Sequence, residues 1–390
     1  MDSKKKYVDR WSRLIWNNDL LTEIFVLLPP KSVTRCKLVC KQWLSLISSH
    51  EFCHLHTLRC PNLRPSFILD PDVINDKYFI IDPVMNGEKL IPYTFCVPEH
   101  IILKVMKISC NGLMLIPSFR DYPIESFLVY NPTTRLSRNV SATNANSVVA
   151  FALAFDPSKS PHYKLVFITA TTLFCTNPHD QIHTYQIEVY ESEIHAWKLR
   201  LGPFTFPKQL SQCGECWGAG VYCNGSIYWE MCDNIVYYDI AQNEFKTFSM
   251  PHYQSYKAGE FISGSISCLQ EANGRLYKSR YLRRDDSILS IEVFELEMND
   301  DRSSSWLLRY EGTISHHEPS LAFQLRFIKG SYDTEMCSAV FNIYGKIIAY
   351  SFLDSSYKLL VDMNRHPIPI SFGRHGSSKM YEFVECLAVV

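Results

Sequence analysis

Four cysteines in the middle of the chain are of the residue type that binds zinc. Cys213 and Cys216 form a Cys-x-x-Cys pair, and Cys223 and Cys232 follow. A thiolate pair at this spacing is a common half of a structural zinc site. The wider spacing between Cys223 and Cys232, however, fits no common second half. The sequence therefore favours cysteines buried in a core, with zinc binding as the alternative hypothesis.

A second group of potential metal ligands consists of Cys53, His54, His56 and Cys60. Ligands two residues apart on a loop can meet at one ion. Two prolines also lie in this stretch, and they favour a flexible connector over residues 53–65. We therefore predict a linker here and no metal site.

Patterns typical of catalytic sites do not occur in this sequence. It has no phosphate-binding loop, dinucleotide fingerprint, Gly-x-Ser-x-Gly elbow or His-Glu-x-x-His motif. Carboxylates and histidines are numerous, but no spacing isolates a catalytic pair. The sequence therefore predicts a non-catalytic protein, with no catalytic residues and no cofactor.

The composition is typical of a soluble globular protein. Of the 390 residues, 46% are hydrophobic and 20% are charged, and the formal net charge is -1. A charge so close to zero argues against bulk electrostatic binding of nucleic acid or of an anionic membrane. The dispersed cysteines, the lack of a long apolar run and an N-terminal MDSKKKYVDRW without an apolar core predict an intracellular protein, cytoplasmic or nuclear or both.

The elements that position any site begin with residues 17–52, which have the pattern of short helices. Leu20, Ile24, Leu27 and Leu28 lie on one stripe of a first helix, and Pro29-Pro30 ends that helix. The stretch holds more large apolar residues than so short a segment can bury alone. We therefore expect it to dock on another surface. The alternative is a helical hairpin that belongs to the core of the following domain.

This stretch resembles the F-box. Residues that match the family pattern in register are Asp19, Leu20, Leu21, Glu23, Ile24, Leu28, Pro29, Lys31, Ser32, Arg35, Val39, Cys40, Lys41, Trp43, Ser45, Leu46 and Ile47. The chain differs at the front, where Trp16-Asn17 replaces the usual Leu-Pro. The resemblance implies an F-box at residues 14–52 that binds a Skp-type adaptor. The implied contact residues are Leu20, Leu21, Ile24, Leu28, Pro29, Val33, Val39 and Trp43.

From residue 66 onward, the pattern changes to short β-rich runs that are bounded by turns. Tight turns followed by two strands recur, and they are Asn111-Gly112, Asn224-Gly225, Asn273-Gly274 and Tyr344-Gly345. An aromatic outer strand also recurs, and the repeat is roughly 40–50 residues long. The predicted fold is thus a small helical domain followed by an all-β domain at 66–390, a β-propeller of about seven blades. A β-sandwich is the alternative.

Residues 109–251 resemble the F-box-associated domain of plant F-box proteins, a kelch-like propeller. The resemblance is carried by Ser109-Cys110-Asn111-Gly112-Leu113, Tyr130-Asn131-Pro132-Thr133-Thr134, Ala154-Phe155-Asp156-Pro157 and Tyr222-Cys223-Asn224-Gly225. It implies a substrate-recognition subunit of a cullin-RING (SCF-type) ubiquitin ligase, in which the adaptor leads to a cullin scaffold. One rim of the propeller would bind an unidentified target protein. The alternatives are a stand-alone propeller receptor for a glycan or small molecule, and a propeller hydrolase or oxidase.

Overall fold

The computed structural model shows a helical module followed by a β domain. The residues it describes are 17–60, 66–70, 78–81, 91–93, 108–119, 124–143, 148–173, 182–205, 218–231, 234–250, 266–283, 288–298, 304–315, 325–329, 337–343, 346–362 and 379–390.

Over residues 17–60, the helical module contains four short helices: α1 (Asn18–Phe25), α2 (Pro30–Cys36), α3 (Lys41–Ile47) and α4 (His50–Arg59). Asn17 caps α1, because its side chain accepts hydrogen bonds from the backbone N–H groups of Asp19 and Leu20. Pro30 is the first residue of α2, a position where the missing N–H costs no hydrogen bond. The prediction that Pro29-Pro30 ends the first helix is wrong, because α1 already ends at Phe25 and Pro29 is the N-cap of α2.

The predicted connector at residues 53–65 is wrong in its first part, because α4 continues through Arg59. The Ser49 side chain accepts a hydrogen bond from the Phe52 N–H and so caps this helix. Phe52, Cys53 and His56 form its buried face. Their packing against the other helices stabilises a helix that the polar, histidine-rich sequence does not suggest. The rest of the predicted connector, residues 61–65, lies outside the described residues.

The β domain contains six blades in the part of the chain that the structure describes. Consecutive strands of a blade are antiparallel, and two strands depart from chain order: β25 lies beside β1, and the short β12 pairs with β8 in parallel. The first three blades are β25-β1-β2-β3, β4 to β7, and β8 to β11 with the short β12 beside β8. The others are β13 to β16, β17 to β20 and β21 to β24. The strands are β1 (Ser66–Asp70), β2 (Tyr78–Ile81), β3 (Ile91–Tyr93), β4 (Ile108–Cys110), β5 (Leu113–Phe119), β6 (Ile124–Asn131), β7 (Leu136–Val140), β8 (Val148–Ala154), β9 (Lys164–Leu173), β10 (Ile182–Glu191), β11 (Ala196–Phe204), β12 (Gly218–Ala219), β13 (Val221–Cys223), β14 (Ser226–Met231), β15 (Asn234–Asp239), β16 (Glu244–Ser249), β17 (Ile266–Ala272), β18 (Arg275–Arg283), β19 (Ile288–Met298), β20 (Ser304–Ser315), β21 (Leu325–Lys329), β22 (Cys337–Ile343), β23 (Lys346–Ser351), β24 (Tyr357–Asp362) and β25 (Lys379–Phe383).

The propeller prediction is confirmed, with six blades in place of about seven. The blades are unevenly spaced. The starts of β4 and β8 are 40 residues apart, whereas those of β8 and β13 are 73 apart and those of β17 and β21 are 59 apart, which exceeds the predicted 40–50 residues. A fixed domain length divided by longer blades yields fewer of them. The ring arrangement also excludes the β-sandwich alternative.

The first blade is closed by a strand from the far end of the chain. β25 is antiparallel to β1, and Ile68 is opposite Tyr381 in the centre of this pair. Because each propeller blade is held mainly by its neighbours, this pairing joins the two ends of the ring. The residues that follow β25 then leave the sheet toward the helical module.

The predicted tight turns are confirmed at three positions. Asn111, Asn224 and Asn273 all have φ between 46° and 51°, and the glycine that follows each also has positive φ. Two consecutive positive φ values define the turn that matches the twist of a β-hairpin. The fourth predicted turn, Tyr344-Gly345, lies outside the described residues.

Tryptophan side chains join neighbouring blades. Trp229 is fully buried, and its Nε1–H donates to the Phe151 carbonyl of the preceding blade at 3.4 Å. Trp197 donates to the Ser141 carbonyl and Trp306 to the Ser249 carbonyl, each next to the outer strand of the preceding blade. The aromatic outer strand of the sequence repeat therefore has a structural role in these blades.

Candidate functional site

The helical module exposes a group of large apolar side chains, which we call the docking face. It consists of Leu20, Ile24, Leu27, Leu38, Val39 and Leu44, from α1 to α3 and their connections. Leu38 is 88% exposed and Leu27 is 79% exposed. Apolar side chains concentrated in so short a segment are typical of a protein interaction surface.

The two sides of α1 have opposite environments. Leu20 and Ile24, four residues apart, are 43% and 48% exposed. Leu21 and Phe25, also four residues apart, are 5% and 3% exposed and pack in the module core. Because residues four apart lie above one another on a helix, α1 presents one apolar side to water and one to the core.

The turn between α2 and α3 holds the most exposed residue of the docking face. The backbone N–H of Leu38 donates to the Arg35 carbonyl, and that of Val39 donates to the Cys36 carbonyl, both at 3.1 Å. These bonds keep the turn compact while the two side chains extend into water. The Gln42 amide also donates to Asn18 Oδ1 at 2.7 Å, which joins the start of α3 to the start of α1.

The structure divides the eight predicted adaptor contacts into three groups. Leu20, Ile24, Pro29 and Val39 are exposed, Leu28 and Trp43 are half-buried, and Leu21 and Val33 are buried. Leu21 and Val33 are core residues, so direct contact of these two side chains with a partner does not fit this structure. The eight therefore do not form one surface.

Trp43 is turned partly inward by an aromatic contact. Its ring centroid is 4.8 Å from that of Phe25, and the two planes meet at 72°. This edge-to-face geometry is the favoured one for aromatic pairs and stabilises the contact of α1 with α3. Trp43 thus packs against the core of the helical module and is only partly available to a partner.

Three residues of the docking face were missed by the prediction of adaptor contacts. They are Leu27, Leu38 and Leu44, all apolar positions of the helical pattern. Helical spacing places Leu27 on the apolar stripe, but the contact residues implied by the family resemblance do not include it. Leu38 follows the end of α2, where periodicity carries no information about exposure.

The Cys53–Cys60 group does not have the arrangement of a metal site. His56 is buried, and one ring nitrogen lies 2.8 Å from the Leu28 carbonyl, while His54 Nδ1 lies 3.0 Å from the Pro157 carbonyl. Burial lowers the pKa of His56 and raises the pKa of the Cys53 thiol to about 11. Burial therefore favours the neutral forms of Cys53 and His56, which pack in the module, while His54 contacts the propeller.

The other cysteine group is only partly described. Cys213, Cys216 and Cys232 lie outside the described residues, and Cys223 is buried at the end of β13. Within the described ranges, no cluster of three or more His, Cys, Asp or Glu side chains has the arrangement of a metal site.

The described helices are all too short or too polar to span a membrane.

A cavity of about 150 Å³ lies among the innermost strands of the propeller. Five different blades contribute to its wall, through Ile108, Ser109, Cys110, Asn111, Gly112, Ala219, Tyr222, Gln270, Glu271, Tyr381, Glu382 and Val384. Pockets of propellers and other folds form where several elements converge in this way.

Two carboxyl groups, those of Glu271 and Glu382, line this cavity, which we call the channel cavity. Glu271 accepts a hydrogen bond from the Gly274 N–H at 2.6 Å, and burial raises the pKa of its carboxyl group. Burial also raises the pKa of Tyr222 to about 12, so this phenol stays neutral. Glu382 adds a second carboxyl group, and the part of the wall that the described residues form contains no Lys, Arg or His. The cavity therefore favours a positively charged or hydrogen-bonding group.

Comparisons with known families and proteins agree with this architecture. A family model described as F-box domain matches residues 14–55, which includes the first part of α4. A second model, described as F-box associated beta propeller domain, matches residues 79–367.

Curated relatives come from Arabidopsis thaliana. F-box protein At5g07610 is 25% identical over 374 residues, with 88% of this chain and 85% of the relative covered. F-box protein At3g17710 is 33% identical over 303 residues, with 74% and 75% covered.

A chain in the crystal structure of a mitotic checkpoint complex is similar over 74% of this chain and 85% of its own, with a TM-score of 0.36 and 8% identity. That similarity is too low to carry an argument, whereas the two family models together cover most of the sequence. The chain belongs to the family of F-box proteins that carry an F-box associated beta propeller domain.

Proposed function

We propose that this chain is a substrate-recognition subunit of a cullin-RING ubiquitin ligase of the SCF type. The combination of an F-box with a propeller, and the relatives named F-box proteins, support such a role in general. The finer proposal is that the helical module binds a Skp-type adaptor, which links it to a cullin scaffold. The propeller would bind the target protein that is to be ubiquitinated.

The docking face is the observation that carries this proposal. Its six side chains are in water, whereas Leu21, Phe25, Val33 and Ile47 of the same helices are buried in a core. A partner that covers the face removes apolar area from water at a gain of about 25 cal/mol per Å². An interface of standard size buries about 800 Å² per partner. The face can be covered without any change in the module core.

The contribution of the chain to ubiquitin transfer would be positional. The adaptor contact and the target contact lie on one polypeptide, so a bound target stays close to the conjugating enzyme of the ligase. Such proximity raises the effective concentration of target lysines. No described residue needs to act as an acid, base or nucleophile.

The channel cavity is the candidate contact for the target. It is concave and its wall combines carboxylates with backbone groups, which favours a basic side chain of a target protein. The same cavity is the observation that favours the second candidate function, a stand-alone propeller receptor for a small molecule or glycan. The adaptor experiment separates the two functions.

The test is co-purification of the full chain with a Skp-type adaptor, beside the double variant Leu20→Asp/Ile24→Asp. Both side chains are exposed, so the carboxylates meet water in the free chain and do not disturb the core. In a complex, the same carboxylates would be buried against an apolar partner at high cost. We expect a stable complex with the unmodified chain and loss of the complex in the double variant.

The matched control is Leu353→Asp, which puts the same charge on an exposed propeller residue. It should bind the adaptor like the unmodified chain. If the unmodified chain is folded and forms no complex, the ligase proposal is refuted and the stand-alone receptor becomes the better account.

A further inference from the structure

Residues 384–390 lie between the helical module and the propeller. Their side chains alternate between two cores. Cys386 and Ala388 are buried in a propeller core with Leu113, whereas Leu387 is buried in the helical core with Val33. Alternation of this kind is the pattern of an extended chain between two apolar layers.

The propeller side of this segment is held by hydrogen bonds from the turn after β6. The buried Asn131 amide donates to the Ala388 carbonyl at 2.8 Å and to the Cys386 carbonyl at 3.2 Å. Thr133 Oγ1 accepts a hydrogen bond from the Cys386 N–H at 3.1 Å. Buried backbone groups that find such partners fix the position of the chain. The Asn-Pro-Thr sequence thus binds the segment.

The helical side is held by packing and by one ion pair. Leu387 is 1% exposed within the helical core. Lys31 of α2 forms a salt bridge of 2.5 Å with Glu385. Nearby, His54 of α4 contacts the Pro157 carbonyl, and the His50 and His162 rings are 4.9 Å apart. The module therefore rests on the turn after β8 as well as on the segment.

We propose that residues 384–390 are a positioning element that fixes the docking face relative to the propeller. The same stretch of chain closes the ring through β25 and then completes the helical core through Leu387. Ring closure and module orientation are thereby coupled. The consequence for ubiquitin transfer, a fixed direction from the adaptor to the bound target, rests on the proposed function.

The orientation is measured in the free full chain, so that the result does not depend on the adaptor. Fluorophores are attached through non-canonical amino acids at Ser45 of α3 and Gln242 of the propeller, both exposed, because native cysteines would also react with thiol labels. The unmodified chain should show one narrow distance distribution. Leu387→Ala should widen it roughly twofold or more, since domains without a firm interface move relative to one another.

Glu385→Lys is the second variant, and it decides the question if Leu387→Ala fails to fold. This change places a second positive charge beside Lys31 and leaves both cores unaltered, so the distance distribution should widen. The double variant Glu385→Lys/Lys31→Glu restores a pair of opposite charges and should narrow the distribution again. Leu353→Ala, on an exposed propeller leucine, should leave the distribution unchanged.

Folded Leu387→Ala and Glu385→Lys chains with distributions as narrow as that of the unmodified chain would overturn the proposal. Loss of adaptor binding with the orientation intact would instead refute the proposed function alone.

In a reconstituted ligase, the positioning proposal further expects that Leu387→Ala spreads ubiquitin over more lysines of the chain itself. If the segment only stabilised the fold, Leu387→Ala would change the amount of ubiquitin attached but not the set of lysines that carry it.

Discussion

Truncation of Leu38 to alanine is expected to weaken adaptor binding while the stability of the chain is unchanged. Leu38 is 88% exposed, so its side chain has almost no contacts to lose in the free chain. Burial of a leucine side chain is worth about 1.5–3 kcal/mol. The alanine side chain keeps one methyl group, so the expected loss of binding free energy is about 1–2.5 kcal/mol, which corresponds to a roughly 5- to 60-fold higher Kd.

The assay is titration calorimetry of purified full chain with a Skp-type adaptor, together with the thermal unfolding midpoint of each chain. The matched control is Leu353→Ala, an exposed leucine in the hairpin between β23 and β24, which should retain the Kd of the unmodified chain. Val33→Ala provides the opposite case. This side chain is fully buried, so its truncation should lower the unfolding midpoint.

An unchanged Kd for Leu38→Ala would refute the reasoning, because the most exposed apolar residue of the module would then lie outside the interface. A lowered unfolding midpoint for Leu38→Ala would contradict the exposure on which the magnitude rests.

Two other substitutions test the propeller. Gly112→Ala should lower the thermal unfolding midpoint more than Gly225→Ala does. Both glycines have a φ of +91°, so the backbone strain of an alanine is the same at the two positions. Only at Gly112 would the new Cβ also clash, because it would lie 2.5 Å from the Val384 carbonyl oxygen. Glu271→Gln should raise the free energy of unfolding at neutral pH. Burial raises the pKa of the Glu271 carboxyl group above its usual 4.5, so the native state loses stability as the pH rises from 4.5 through this raised pKa. Glutamine carries no charge and avoids this loss. The gain should vanish in acid, where the carboxyl group is protonated in both the native and the unfolded state. Equal effects of the two glycine changes, or a Glu271→Gln gain that is independent of pH, would contradict these accounts.

Much of the fold could be predicted where local chemistry decides it. The Asn17 cap and the Asn-Gly turns depend on the residues themselves, because a short polar side chain satisfies free N–H groups and these turns require positive φ. The error at α4 has the converse cause. Its helix depends on contacts of Phe52 and Cys53 with distant residues, and local composition suggested a polar loop. The number of blades likewise depended on strand lengths that no single turn reveals.

The sequence by itself determined the order of a helical F-box and a β domain, the caps and turns between elements, and the apolar character of the helices. Only the tertiary structure decided which apolar residues remain in water. Leu20 and Leu21 are adjacent and chemically identical, yet one is 43% and the other 5% exposed. Leu387 lies in a core with Val33, far away in the sequence. Burial of this kind is a property of contacts between distant segments, and local periodicity carries no information about them.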